Sequence, residues 1–281
     1  MSDEFDPARF KAREKKGWDL AAEDWASQLG RLTTTLAEQL VDYAEVVPGD
    51  RVLDVATGSG VVALAARRRL GEKAVVVGTD ISPQLLTIAA KTAEHEGYTD
   101  ITWMEMDAEA LEVKPHTYTV VLSQLGLMYV PDKLAMLRGM RRELAAHGRI
   151  ALAVWADPSR CELAGTADVA APYAAGPPLP GTPGLWDMGD PALHQELLTK
   201  AGFVEVEHQF VHHDWRFASA EQGAQAMFDA TGTMRPFYYK QTPEVQQALM
   251  NDMVAFFKAH PADDGGVVLT NEVLMVRARR P

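Results

Sequence analysis

Val52-Leu53-Asp54-Val55-Ala56-Thr57-Gly58-Ser59-Gly60 decides the fold. A short apolar run carrying one acid ends in a glycine-rich turn, and residues 58–70 then read as a helix. Glycines let the backbone turn tightly, and the first amides of the following helix stay free for a ligand. Working outward, residues 74–78, 101–104, 117–122 and 149–155 are further short apolar strands, with helical patterns over 83–96 and 132–146. Apolar strands joined by helices imply a parallel sheet covered on both faces, a doubly wound α/β domain.

Upstream, residues 15–47 read as mostly helical, with Trp18, Ala21, Ala22 and Trp25, then Leu29, Leu32, Leu36 and Leu40 at three-and-four spacing, before Pro48-Gly49-Asp50 turns the chain. Downstream, residues 156–189 are rich in proline and glycine and read as a loop or lid. Asp190-Pro191 caps a helix over 192–200, and a strand follows over 203–211. Ser219-Ala220-Glu221-Gln222 fits a capping box for a helix to about residue 230; Thr242-Pro243 opens another, and 267–277 reads as the closing strand. The expectation is a helical cover over 1–47 and a sheet domain over 48–281, with a two-helix insertion over 219–262 before the last strand.

The chain has 27 Lys and Arg against 39 Asp and Glu, a net charge of −12 that repels polyphosphate and anionic lipid, so neither nucleic acid nor a membrane surface is an expected partner. A single cysteine, Cys161, allows no internal disulfide and no cysteine-based metal centre. Residues 1–16 mix acid and base without an apolar core, and prolines interrupt the uncharged stretch 169–186. Neither a leader peptide nor a membrane span is therefore expected, and the cytoplasm is the expected compartment.

Ligands of a doubly wound sheet bind at the carboxyl ends of its strands. Asp80 closes the second strand about 20 residues past the glycine loop, where a carboxylate can accept hydrogen bonds from ribose hydroxyls. Gly58, Gly60 and Ala63 also satisfy a dinucleotide pattern, so NAD is a candidate. Three features favour S-adenosylmethionine. Asp54 before the loop could attract the cofactor's ammonium, where a pyrophosphate would be repelled. Met104 to Ala108 offer an acceptor to an adenine amino group. A helical segment of some forty residues precedes the first strand.

On these residues, over roughly 48–203, the chain resembles a class I S-adenosylmethionine-dependent methyltransferase of the small-molecule group related to ubiquinone and menaquinone methyltransferases. The resemblance implies seven strands in the order 3-2-1-4-5-7-6, the last antiparallel. It also implies that Asp54, Ala56, Thr57, Gly58, Ser59 and Gly60 hold the methionine part and that Asp80 binds ribose. Ile81 would flank the adenine, Asp107 and Ala108 would meet its amino edge, and Ser123 and Gln124 would lie beside the sulfonium. Ala56 stands where the family most often has a glycine. The chain lacks the Asn-Pro-Pro-Tyr signature of nucleic-acid amine methylation after the fourth strand, and Leu122-Ser123-Gln124 carries no metal-binding aspartate. No metal is expected.

Methyl transfer from a sulfonium needs alignment and exclusion of water, and needs a base only where the acceptor must lose a proton. Gln124 and Tyr129 lie where strand ends point at the methyl group, and His212 or His213, near the end of the sixth strand, could serve as base. Solvent-facing histidines at a strand end are the alternative. His208 with His212 cannot share zinc, since four strand residues separate them by about 13 Å. His95, His116 and His147 fall at the opposite edge and read as surface residues. Aromatic residues gather in the cover segments, suggesting an apolar or aromatic pocket, with Arg235 placed to meet an anionic group or an ion-pair partner. The expected activity is methyl transfer to O, C or N of a small hydrophobic or aromatic molecule. The alternatives are an NAD-dependent oxidoreductase, a protein that binds the cofactor without turnover, and a cyclase on the same fold. Monomer and homodimer both remain open.

Overall fold

The computed structural model describes residues 4–71, 74–263 and 265–281, so the first three residues of the charged N-terminal stretch lie outside it. Helix α1 (Pro7–Asp24) starts eight residues before the expected position. Asp6 caps it by accepting the amides of Ala8 and Arg9, and Pro7 pre-sets the first turn. A single π turn, Trp25–Leu29, and a tight 3-10 turn, Gly30–Thr33, lead into α2 (Thr34–Tyr43).

The alternating core follows: β1 (Arg51–Val55), α3 (Val61–Leu70), β2 (Val75–Asp80), α4 (Pro83–His95), β3 (Ile101–Glu105), β4 (Tyr118–Gln124), α5 (Lys133–Glu143) and β5 (Leu144–Trp155). Beyond it come α6 (Gly165–Ala170), α7 (Pro191–Lys200), β6 (Val204–His212), β7 (Trp215–Phe217), α8 (Ala220–Asp229), α9 (Met234–Tyr238), α10 (Pro243–Lys258), β8 (Val267–Leu269) and β9 (Glu272–Arg279). The main sheet runs β3-β2-β1-β4-β5-β9-β6, with β9 antiparallel to both neighbours and the rest parallel. Counting only its own strands, this is the expected order. Val52, Leu53, Val120, Val121, Ile150 and Leu152 are all buried at its centre.

Three expectations for the second half of the chain need correction. The closing strand expected over 267–277 breaks at Thr270-Asn271, so that β8 leaves the main sheet and pairs with β7 in a separate two-stranded ribbon. Asn271 makes the corner. Its buried amide donates to the carbonyls of Leu269 (2.9 Å) and His213 (3.3 Å), and its side-chain oxygen accepts the Leu163 amide (2.9 Å). A buried amide so satisfied fixes three chain segments at once. The insertion expected as two helices also contains α9. The proline-rich segment is not uniformly irregular either, since it opens with short 3-10 turns and α6.

Trp103 on β3 explains two glycines of the core. A Cβ on Gly60 would lie 2.8 Å from its ring, and one on Gly78 would lie 2.6 Å from it. The indole therefore fills the space beneath the loop after β1. The covers meet just as closely. A Cβ on Gly17 of α1 would stand 2.1 Å from the Gly232 carbonyl, and one on Gly232 would enter the Trp18 ring at 2.8 Å. Arg235 pairs with Asp24 (2.6 Å) and donates to the Asp229 carbonyl (2.7 Å), so it serves as a strut between insertion and α1.

Gly17→Ala should therefore push α1 off the insertion and destabilise the protein by about 1–3 kcal/mol, the usual cost of overpacking. Gly49, with open space around its Cβ position, lies outside this contact. Thermal unfolding of the Gly17→Ala variant, showing a lowered Tm with an unchanged far-ultraviolet dichroism spectrum, checks the assignment.

Candidate active site

The loop after β1 is built on left-handed backbone. Ala56 has φ 57°, Gly58 55° and Gly60 86°. Glycine adopts such angles freely, whereas alanine at Ala56 carries a backbone penalty of about 1–2 kcal/mol. Beneath the loop, fully buried Asp54 accepts the Thr57 hydroxyl (2.5 Å) and the Ala63 amide in the first turn of α3 (3.1 Å) through one oxygen. Its other oxygen, Oδ1, has no partner. Burial pushes the Asp54 carboxyl up to about 7, against the lowering effect of those two donors.

Asp80, at the end of β2, accepts the Gly58 amide (2.8 Å) on one oxygen and the Ser82 amide (2.9 Å) on the other. Burial lifts it to about 6. A carboxylate has about four acceptor positions, so each oxygen retains room for one more donor. At the end of β3, Asp107 accepts the Glu109 amide (2.9 Å) and the Lys11 ammonium (2.6 Å). Lys11 also pairs with Glu109, Lys15 with Glu105, and the Ser82 hydroxyl donates to Asp19 (2.6 Å). Helix α1 is thus fastened along the carboxyl ends of β2 and β3.

Between α1, the strand ends and the insertion lies a cavity of about 220 Å³ with a mostly apolar wall. It is lined by Ala56, Thr57, Gly58 and Ser59 of the loop, by Asp80 and Ile81, by Asp107 and Ala108, and by Gln124 and Tyr129 after β4. Gly58 faces open space apart from the Trp25 indole nitrogen, 3.9 Å from its Cβ position, so a ligand backbone can come close there. Gln124 donates to the Thr33 carbonyl (3.3 Å), leaving its oxygen without a partner.

Other candidates lie off the wall. Asp54 sits below the loop, Gly60 turns toward Trp103, and Ser123 is buried under Gly126 with a hydroxyl that has no partner. The two histidines read from the sequence as possible bases do not reach the cavity. His212 is exposed at the end of β6. His213 is buried with its ring stacked on Trp155 (5.8 Å between centroids), and its Nε2 accepts the Trp215 indole N–H (3.0 Å). Burial pushes His213 down to about 4, leaving it neutral. It braces two tryptophans that do line the cavity, because the chain turns at Asp214 into β7 instead of ending at the strand tip. His95, His116, His147 and His208 are exposed.

Glu14 and Lys11 line the cavity and were not singled out in the sequence. The available signal was the spacing of Phe10, Glu14, Gly17 and Ala21, which places an acid in the buried stripe of α1.

Comparison with known proteins now bears on this site. Residues 33–167 match the model of the ubiE/COQ5 methyltransferase family. The chain is 33% identical over 118 residues to the aklanonic acid methyltransferase of Streptomyces sp. strain C5, which covers 42% of this chain and 54% of that protein. It is 26% identical over 257 residues to the nocamycin O-methyltransferase of Saccharothrix syringae, covering 87% of this chain and 90% of the relative. The chain spans about half the length of the curated relatives it matches at 33% identity. Among solved structures, phosphoethanolamine N-methyltransferase 2 of Haemonchus contortus, in complex with S-adenosyl-L-methionine, shares the fold with a TM-score of 0.56 at 15% identity, over 88% of this chain and 52% of that one. The solved methyltransferase shares the fold of this chain, and the matched region carries the loop, Asp80 and Asp107 at the ends of its strands.

Asp54 and Asp80 both titrate above an ordinary carboxyl group, so the folded state holds their protons more tightly than the unfolded chain. Stability is then greatest below the ordinary carboxylate range and falls as pH rises through about 6 and about 7. Between about pH 4 and pH 7 the ligand-free protein should lose on the order of 5–7 kcal/mol, and Asp54→Asn should flatten the slope. Chemical denaturation at a series of pH values measures both.

Proposed function

We propose that this protein is an S-adenosylmethionine-dependent methyltransferase whose acceptor is a small, hydrophobic or aromatic molecule methylated at oxygen, carbon or nitrogen. When bound, S-adenosylmethionine supplies a methyl group on a sulfonium, open to in-line displacement. The carrying observation is Asp80, buried at the end of β2 with acceptor capacity left on both oxygens and facing the cavity beside Gly58. Those oxygens suit a ribose diol. Asp107 and Ala108 stand one strand further along, at the place for an adenine edge, and Met106 and Ile81 supply apolar wall for its faces.

Asp54 decides between sulfur nucleoside and dinucleotide. A pyrophosphate would use the free amides at the start of α3, but the Ala63 amide is already taken by the Asp54 carboxylate, which adds a like charge. Its partnerless Oδ1 instead suits a water or the ammonium of a methionine moiety just above the loop. Gln124 and Tyr129 border the same space and would orient the acceptor. Trp18, Trp25, Trp155 and Trp215 on the wall favour a flat apolar acceptor and exclude water from the displacement.

The net charge of −12 supports a small-molecule acceptor over nucleic acid, and the lone buried Cys161 fits a reducing compartment such as the cytoplasm. No helix among the described residues is long and apolar enough to cross a membrane.

S-adenosylmethionine and S-adenosylhomocysteine should each raise the Tm, and NAD at matched concentration should not. Asp80→Ala should weaken binding of both sulfur nucleosides roughly tenfold or more, the loss expected when a buried charged acceptor is removed. Titration calorimetry on the folded variant measures it. Stabilisation by NAD alone would overturn the assignment.

A further inference from the structure

Of the two ionisable side chains that α1 brings to the cavity wall and the cofactor reading leaves unused, Lys11 is already paired with Asp107 and Glu109 and Glu14 is not paired across the cavity. Glu14 projects from the buried face of α1 with its side chain 7% exposed, and it lines the cavity one helical turn before Trp18. Its Oε1 has only a long contact, 3.4 Å, with the exposed Arg13 guanidinium of the same helix, and its Oε2 has no partner. A buried carboxylate oxygen without a donor is costly, so it calls for an explanation in terms of a ligand. Around it, the Trp18 ring meets Tyr129 edge-on at 5.5 Å and Trp25 at 5.3 Å, forming an aromatic slot.

We propose that Glu14 is the proton acceptor of the methyl-acceptor pocket, and that the acceptor is therefore a hydroxyarene or an enol methylated on oxygen. This inference rests on the methyltransferase reading above. As the acceptor oxygen attacks, its proton passes to Glu14 Oε2. The new O–CH3 bond forms while the S–CH3 bond breaks, and the electron pair of that bond stays on sulfur. Glu14 then releases its proton to solvent as the products leave, so charge and atoms balance.

An amine acceptor fits this pocket less well. A desolvated carboxylate would hold it as an ammonium, which has no lone pair with which to attack. A weakly acidic hydroxyl gains instead, because the base that receives its proton is desolvated and lifted above the ordinary carboxylate range by burial. The other charged or titratable groups near Glu14 are Arg13 at its outer side, Tyr129 across the slot, and Lys11 one turn earlier on α1. Lys11 is occupied by Asp107 and Glu109. Asp80 and Asp107 border the cavity on the nucleoside side. The Tyr129 hydroxyl is itself held high by burial and by the Glu14 charge, so it stays protonated and can donate to the acceptor oxygen.

The test compares wild type with Glu14→Gln, using para-nitrophenol and β-naphthol as probes in the presence of S-adenosylhomocysteine or S-adenosylmethionine. With S-adenosylhomocysteine bound, the absorbance titration of bound para-nitrophenol should have its midpoint at lower pH in Glu14→Gln, because the carboxylate that disfavours the phenolate is gone. With S-adenosylmethionine, transfer to β-naphthol should fall at least a hundredfold in the variant, and the rise of kcat/KM with pH that reports the base should disappear. Transfer to the more acidic para-nitrophenol, already ionised at about pH 9, should fall much less. Affinity for S-adenosylhomocysteine should stay the same, which shows that the variant is folded and the nucleoside site intact.

An unchanged probe midpoint, equal losses for the two phenols, or failure of either phenol to bind or be methylated while S-adenosylhomocysteine still binds would each overturn the role of Glu14. The cofactor reading would remain in place. Loss of S-adenosylhomocysteine binding by the wild type would instead overturn the reading on which the proposal rests.

Discussion

The Asp54 carboxylate under the loop is the constraint from which the site follows. One oxygen ties the Thr57 hydroxyl to the first turn of α3 through Ala63, so strand, turn and helix are joined across nine residues. The positive end of the α3 dipole favours that charge, while complete burial opposes it. Burial therefore raises the Asp54 carboxyl above its ordinary range against the pull of its two donors. Around this clamp the loop adopts left-handed angles even at Ala56, presents Gly58 to the cavity, and turns Gly60 onto Trp103.

A parallel sheet brings the ends of β1, β2, β3 and β4 to one edge, and each contributes one polar feature: the loop, Asp80, Asp107 and Gln124. The sheet alone leaves that edge open to water. Closure comes from sequence-distant parts, chiefly α1 and the insertion, which meet through Gly17 against Gly232 and through the Arg235–Asp24 pair. The chemistry is divided accordingly. Rigid strand ends supply the glycine loop, Asp80, Asp107 and Gln124, and the covers contribute Glu14, Trp18, Trp25, Trp215 and Met234 to the remaining wall.

Most of the sheet was legible in the sequence because parallel strands are continuous apolar runs. β1 falls on the apolar run before the glycine loop, and the caps read at Asp190, Ser219 and Thr242 all accept the amides that their side chains suggest. The N-terminal start at Asp6 was missed because α1 buries only a narrow stripe and is elsewhere charged. Asn271 shows a second limit. Periodicity over 267–277 is compatible with one strand, and only the three-way hydrogen bonding of a single buried amide divides it. The histidines show a third. Position near a strand end gives a residue's height in the sheet, but whether His213 faces cavity or core depends on where the chain goes after Asp214.

The two halves of the enclosure also differ in how firmly they are held. The strand ends are fixed by ladder hydrogen bonds and a core in which Leu53, Val55 and Leu122 are inaccessible to water. Helix α1 is held by its buried Phe10, Ala21 and Ala22, by the Gly17–Gly232 contact and the Arg235–Asp24 pair, and by Lys11 and Lys15 to partly exposed carboxylates and Ser82 to Asp19. Such pairs are each worth about 1 kcal/mol or less. The same helix carries Glu14 on its buried face. The cavity is thus enclosed by two kinds of wall, polar strand ends set by ladder hydrogen bonds and core burial, and an aromatic cover set by side-chain packing and ion pairs.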